Sequence, residues 1–162
     1  MELNCIIREI SPSDNSKIAE IIRTVLLEFG GNKPGTAYYD YDTDHMFEAY
    51  NNDCQIYYVA IQNDHIVGGC GIKQLKSSAS EICELQKLYL LKESRKLGIG
   101  KLLLEKCLDF AKKSNYKQCY LETFPNMDAA ISLYKKYFFR FLCSPIGNTG
   151  HNGCDVWMVK DL

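Results

Sequence analysis

"ESRKLGIGKLLLEKCLDFAKK", residues 93–113, places two glycines one residue apart between an Arg-Lys pair and a strongly patterned segment. From Lys101 onward, Leu103, Leu104, Cys107, Leu108 and Ala111 fall on one stripe; Lys101, Glu105, Lys106, Asp109, Lys112 and Lys113 fall opposite. That periodicity predicts an amphipathic helix. Gly98 and Gly100 then sit at its start, where each costs roughly 0.5–1 kcal/mol relative to alanine. A helix start leaves backbone N–H groups without partners and carries the positive end of the helix dipole. Glycines there admit an anion, so the stretch reads either as a phosphate seat or as an ordinary helix start.

Working outward, "ICELQKLYL" (82–90) predicts a strand. Under period two, Glu84, Gln86, Leu88 and Leu90 share one face, and Cys83, Leu85, Lys87 and Tyr89 share the other. Glu84 is either a base whose pKa partial burial raises, or a carboxylate that is solvated or paired with Lys87. Downstream, "KQCYLET" (117–123) predicts another strand and "MDAAISLYKKY" (127–137) a helix. Asn126 is placed to cap that helix. Ala130, Leu133, Tyr134 and Tyr137 lie on one side of it, and Tyr134 is either a core aromatic or a proton donor. Two nucleotide loops fail: Leu103 stands where a Rossmann loop needs its third glycine, and no G-x-x-x-x-G-K-[ST] is present.

The remaining elements follow the same rules. "CIIREI" (5–10) is a first strand, and "SPSD" precedes the stripe Ile18, Ile21, Ile22, Val25, Leu26 and Phe29, closed by Gly30 and Gly31. After an aromatic loop at 32–42 comes a short helix around 43–50. "QIYYVAI" and "IVGGCGIKQL" flank a hairpin turn, and "FFRFLC" and "CDVWMVK" are final strands. The order β-α-α-β-β-β-α-β-α-β-β predicts an α/β (α+β mixed) fold, with a mixed central β-sheet flanked by helices.

Composition bounds the function. The chain has 162 residues, 46% apolar and 24% charged, the balance of a single globular domain over 1–162. Nineteen basic against twenty acidic residues give a net charge of −1, which speaks against nucleic-acid partners. No 18-residue apolar run and no secretory signal pattern is present, so the expectation is a cytoplasmic protein with no membrane partner. Eight cysteines without C-x-x-C and three histidines without H-x-x-H predict reduced core thiols and no metal site.

The stretch "ELQKLYLLKESRKLGIGKLLL" resembles the acetyl-CoA-binding core of the GNAT N-acetyltransferase superfamily, whose (Arg/Gln)-x-x-Gly-x-(Gly/Ala) signature Arg95, Gly98 and Gly100 satisfy. "N-x-x-A-A-x-x-L-Y" at 126–134 matches the second half of the family pattern. The resemblance implies a GNAT-like acyl-CoA N-acyltransferase fold, acetyl-CoA (coenzyme A) as cosubstrate, no metal, and a primary amine of a small molecule as acceptor. It implies that Arg95, Lys96, Leu97, Gly98, Ile99, Gly100 and Lys101 wrap the diphosphate. The backbone of Leu88, Tyr89 and Leu90 would face the pantetheine and acetyl group. Glu84 would be the base, Asn126 a coenzyme-side contact, and Tyr134 both a coenzyme contact and the acid that protonates the departing thiolate. A homodimer is compatible with this reading.

Phe138 departs from the pattern, standing where relatives carry a turn glycine between helix and strand. The aromatic loop and the C-terminal "GNTGHNG" are the segments expected to frame the acceptor, with Tyr38, Tyr39, Asp40, Asp42 and His151 as candidates. The rival readings are a non-catalytic acyl-CoA-binding or regulatory module and a nucleotide-binding oxidoreductase fragment.

Overall fold

A computed structural model describes residues 4–162. Chain order is β1 (Cys5–Glu9), α1 (Asn15–Glu28), α2 (Met46–Ala49), β2 (Ile56–Gln62), β3 (His65–Gln74), β4 (Ile82–Leu90), α3 (Ile99–Lys113), β5 (Gln118–Thr123), α4 (Asp128–Lys136), β6 (Arg140–Phe141) and β7 (Val156–Asp161). This is the expected order of elements. The strands form one seven-stranded sheet, β1-β2-β3-β4-β5-β7-β6. Only β4 and β5 run parallel, so the sheet is mixed.

Local chemistry accounts for most of these elements. Asn63 and Asp64 take φ of 50° and 64°, the left-handed pair that a tight β2–β3 hairpin needs. At the entry to α1, Asp14 accepts from the Ser11 N–H at 2.7 Å and from both terminal nitrogens of Arg8 at 2.7 and 3.0 Å. The α1 stripe (Ile18, Ile22, Leu26) packs with Tyr57 and Val59 on one face of the sheet. The α3 stripe (Leu103, Leu104, Cys107, Leu108, Ala111) packs on the other, and Ile99 joins it. All eight cysteines are free thiols, four of them buried in the core. A Cβ at Gly71 would lie 2.6 Å from the Tyr57 ring and 2.7 Å from that of Tyr50, so β3 is bare where two tyrosines cross it.

Three expectations need correction. The alternation in β4 breaks at Lys87, which takes φ of +53°, and the register against β3 slips between Gly69 and Gly71. One extra residue in a strand reverses every face beyond it. Leu88 and Leu90 therefore join Cys83 and Leu85 on the α3 side, while Tyr89 packs with Tyr57 on the α1 side, next to Glu84 and Gln86. The Tyr57 hydroxyl donates to the Lys87 carbonyl at 2.9 Å and pins the bulge.

Asn126 does not cap α4. Met127 occupies the cap position, and the Asn126 amide instead donates to the Phe29 carbonyl at 3.1 Å, tying α4 to the end of α1. The penultimate strand is shorter than "FFRFLC" suggested: β6 is two residues long.

At the end of α4, Phe138 adopts φ of +65°, the conformation a glycine would take there, with its ring 83% exposed. The turn is retained: Phe139 N–H reaches the Tyr134 carbonyl at 3.1 Å. The backbone strain therefore falls on Phe138 itself.

Candidate active site

The bulge also opens the sheet. β4 and β5 pair only from Ile82↔Gln118 to Glu84↔Tyr120, and beyond that point the two parallel strands separate. A cavity of about 1110 Å³ fills the gap, walled by Leu88, Tyr89 and Leu90 of β4, by the turn before α3, and by Asn126–Ala130 and Leu133 of α4. Val25 of α1 and Phe29, just past its end, close one side.

The turn into α3 is built to leave donors open. Lys96 takes φ of +62° and Gly98 φ of +85°. No backbone N–H from Lys96 to Lys101 meets a carbonyl acceptor among the described residues, whereas Leu102 N–H bonds the Gly98 carbonyl at 3.1 Å. A Cβ on Gly98 would meet nothing within 4 Å, so the space above it is open. Unpaired N–H groups around a helix start form a concave anion seat.

Of the expected coenzyme residues, Arg95, Lys96, Gly98, Gly100, Lys101, Leu88, Tyr89, Leu90 and Asn126 line this cavity. Leu97 points outward and Ile99 into the core, so either would act through its backbone. The Arg95 guanidinium holds both Glu28 oxygens at 2.8 Å and its Nε donates to the Leu90 carbonyl at 2.9 Å, bracing the turn against α1. Tyr134 is 5% exposed, packs against Phe139 with ring centroids 5.7 Å apart, and its hydroxyl has no hydrogen-bond partner among the described residues. Burial, with Cys70 and Tyr89 nearby, pushes its phenol well above the ordinary range. Its neighbours Ala130 and Leu133, and not Tyr134 itself, line the cavity.

A second, polar cavity of about 200 Å³ lies on the α1 side of the same strand, lined among others by Glu84, Gln86 and Lys87. Glu84 is 3% exposed, neither solvated nor paired with Lys87. A relay holds it: the Tyr50 hydroxyl donates to Gln86 Oε1 at 2.6 Å, and Gln86 Nε2 donates to Glu84 Oε2 at 2.7 Å. Burial raises the Glu84 pKa, only partly offset by the Gln86 bond. A carboxyl raised in this way titrates closer to the working range of a general base.

The two candidate acceptor segments meet here. His151 Nε2 lies 2.7 Å from Asp40 Oδ2, and Gly153 N–H bonds the Gly35 carbonyl at 2.9 Å. Burial pushes the Asp40 carboxyl up, but the His151 bond and the charges of His151 and Lys87 outweigh it and leave it lowered. Asp40, Asp42 and His151 line the cavity; Tyr38 and Tyr39 do not.

Sequence reasoning missed Lys73, Lys76, Gln86, Lys87 and Thr149 on the same walls. A buried lysine in the apolar run "IVGGCGIKQL" was the one available signal. Also unforeseen is the convergence of Glu84, Glu122 and His151, whose ligand-type atoms lie within 4.8 Å of one another. Each already has a protein partner: Gln86 for Glu84, Tyr120 and Thr149 for Glu122, and Asp40 for His151.

Parallel strands that part beside a glycine-started helix define a class of protein. Residues 19–138 match the model of the acetyltransferase (GNAT) family, and the chain belongs to that family. It is 35% identical over 158 residues to the uncharacterized N-acetyltransferase YjgM of Escherichia coli K12, covering 97% of this chain and 95% of that one. Its fold superposes on a GNAT-family acetyltransferase of Staphylococcus aureus Mu50 with a TM-score of 0.85 at 24% identity, over 97% and 98% of the two chains. The PaiA N-acetyltransferase of Thermoplasma acidophilum, solved in complex with coenzyme A, gives a TM-score of 0.76 at 22% identity over the whole of both chains.

Proposed function

We propose that the protein transfers the acetyl group of acetyl-CoA to a primary amine of a small molecule, directly and within a ternary complex. One observation carries the reading. A single strand, β4, walls both cavities, with Leu88–Leu90 on the larger and buried Glu84 on the smaller. Donor and acceptor entering from opposite faces would meet across it. The larger cavity suits coenzyme A: open N–H groups at the α3 start for the diphosphate, and the unpaired edge of β4 for the pantetheine arm. The Thermoplasma relative, which shares this fold, was solved in complex with coenzyme A, which supports coenzyme A as the donor.

In this mechanism Glu84, directly or through a water, takes a proton from the acceptor ammonium. The neutral amine attacks the thioester carbonyl, and a β4 backbone N–H near Leu90 faces the charge that develops on its oxygen. Collapse of the adduct breaks the C–S bond; the departing thiolate takes its proton from the Tyr134 phenol, and the second proton shed by the nitrogen as the amide forms restores the phenol. Arg95 acts by holding the turn in shape through Glu28.

Thiol release from acetyl-CoA over a panel of amines tests the proposal. Glu84→Gln should retain coenzyme A binding and lose about 10²–10⁴-fold in turnover, the usual worth of a positioned base. Coenzyme A binding with no thiol release for any amine would instead identify a binding module.

A further inference from the structure

The ion pairs of the smaller cavity do not close. Lys73 Nζ lies 3.0 Å from Asp42 Oδ2, and Asp40 Oδ2 takes both Lys87 Nζ at 3.3 Å and His151 Nε2 at 2.7 Å. Two charged side chains on the walls have no ion pair among the described residues. Glu84, at the inner end, receives only the Gln86 amide. Lys76, exposed at the rim, has no hydrogen bond or ion pair through its side chain. Glu84 sits opposite Lys73 in the β3–β4 register, yet the Lys73 ammonium turns away to Asp42 and lies 4.5 Å over the Tyr50 ring. The cavity therefore keeps one carboxylate inside and one ammonium at its mouth without a direct ion-pair partner among the described residues, the charges of His151 and Lys87 being spent on Asp40 and reaching Glu84 only from a distance.

Resting on the acetyl-transfer reading above, we propose that the acceptor is a small free amino acid, its ammonium against Glu84 and its carboxylate against Lys76. A buried carboxylate without a cation is costly, and an arriving ammonium supplies the missing partner. At ~30 Å³ per water, 200 Å³ holds about seven waters, the space of a short amino acid. A polyamine would set its second cation against Lys76 and Lys73. A peptide amino terminus would continue into a neutral amide and leave Lys76 unanswered.

The test is acetyl transfer to matched acceptors: an amino acid such as serine, its carboxamide, and the decarboxylated amine. The parent protein should prefer the acid in kcat/KM by roughly tenfold or more, the scale of one hydrogen bond to a charged group. In Lys76→Met, which keeps the stem and removes the charge, that preference should collapse toward unity, and Lys76→Arg should restore it. Thermal unfolding of both variants confirms that the fold is intact. Equal use of acid, carboxamide and amine by the parent, or a preference that survives Lys76→Met, overturns the amino-acid assignment while acetyl transfer stands. Coenzyme A binding with no thiol release for any acceptor overturns acetyl transfer itself, and this inference with it.

Discussion

Replacing Gly100 with alanine should raise stability and leave coenzyme affinity intact, whereas glutamate at the same position should weaken coenzyme binding. Gly100 lies in the first turn of α3, and a Cβ there would sit 3.4 Å from Leu90 Cδ1 and 3.7 Å from Leu133 Cδ2, ordinary contact distances. Nothing in the free protein needs to shift. Alanine recovers up to about 1 kcal/mol of helix propensity, part of it through a less flexible unfolded chain. For a chain of this length that corresponds to about 2–4 °C in Tm. The family signature admits alanine at this position, so a methyl leaves room for the diphosphate; a glutamate would bring a carboxylate against the open N–H groups. Forfeiting one hydrogen bond to a charged group costs about 1.5–3 kcal/mol, so Gly100→Glu should bind coenzyme A roughly 10–100-fold more weakly. Differential scanning calorimetry of the free protein and titration calorimetry with coenzyme A read the two quantities separately. Unchanged coenzyme A affinity in a folded Gly100→Glu variant would refute the diphosphate seat.

Three further outcomes follow from the geometry. Glu84→Gln should raise Tm at neutral pH. The folded-state pKa of Glu84 is raised by burial, so the folded chain holds this proton more tightly than the unfolded one. Stability from this group is full below the unfolded value, the ordinary 4.5, and is lost as pH climbs through the folded value. The gain in the variant should therefore vanish in acid, and a gain independent of pH would contradict the assignment. Phe138→Gly should stabilise by up to about 1 kcal/mol, because glycine occupies the left-handed region without strain and the lost ring is exposed; a lower melting temperature would count against it. Tyr134→Phe should slow single-turnover acetyl transfer while leaving coenzyme A binding and melting temperature nearly unchanged, and a normal transfer rate would reduce Tyr134 to a packing residue.

Much of the fold was legible because its signals are local. The α3 stripe from Leu103 to Ala111 reports a helix whose buried face follows from periodicity alone, and Asn63-Asp64 reports a hairpin from turn chemistry. The β4 bulge left no such trace. "CELQKLYL" alternates cleanly on paper, and the break at Lys87 comes from tertiary demands: the Tyr57 hydroxyl on the Lys87 carbonyl and the glycine trough beneath it. Asn126 has a side chain suited to capping, but the Phe29 carbonyl lay within reach and took its amide. The smaller cavity was legible only in fragments. Asp40, Glu84 and His151 are far apart in sequence, and only the closure of the 32–42 loop against the 146–154 loop brings them together. Lys76 carries no sequence signal beyond its charge; its meaning comes from which neighbouring lysines are already paired.

Because Lys87 occupies the bulge, β4 is two short strands joined out of phase. Glu84 and Gln86 face the smaller cavity, and Leu88 and Leu90 wall the larger one. On the proposed acetyl-transfer reading, substitutions at Glu84 or Gln86 would alter which amine is accepted without disturbing Leu88 and Leu90, and substitutions at Leu88 or Leu90 would alter the acyl chain admitted without touching Glu84. Straightening the bulge with Lys87 kept in the ladder would restore strict alternation and carry Leu88 and Leu90 to the Glu84 side, whereas deleting Lys87 would keep them on the α3 side and remove only the kink.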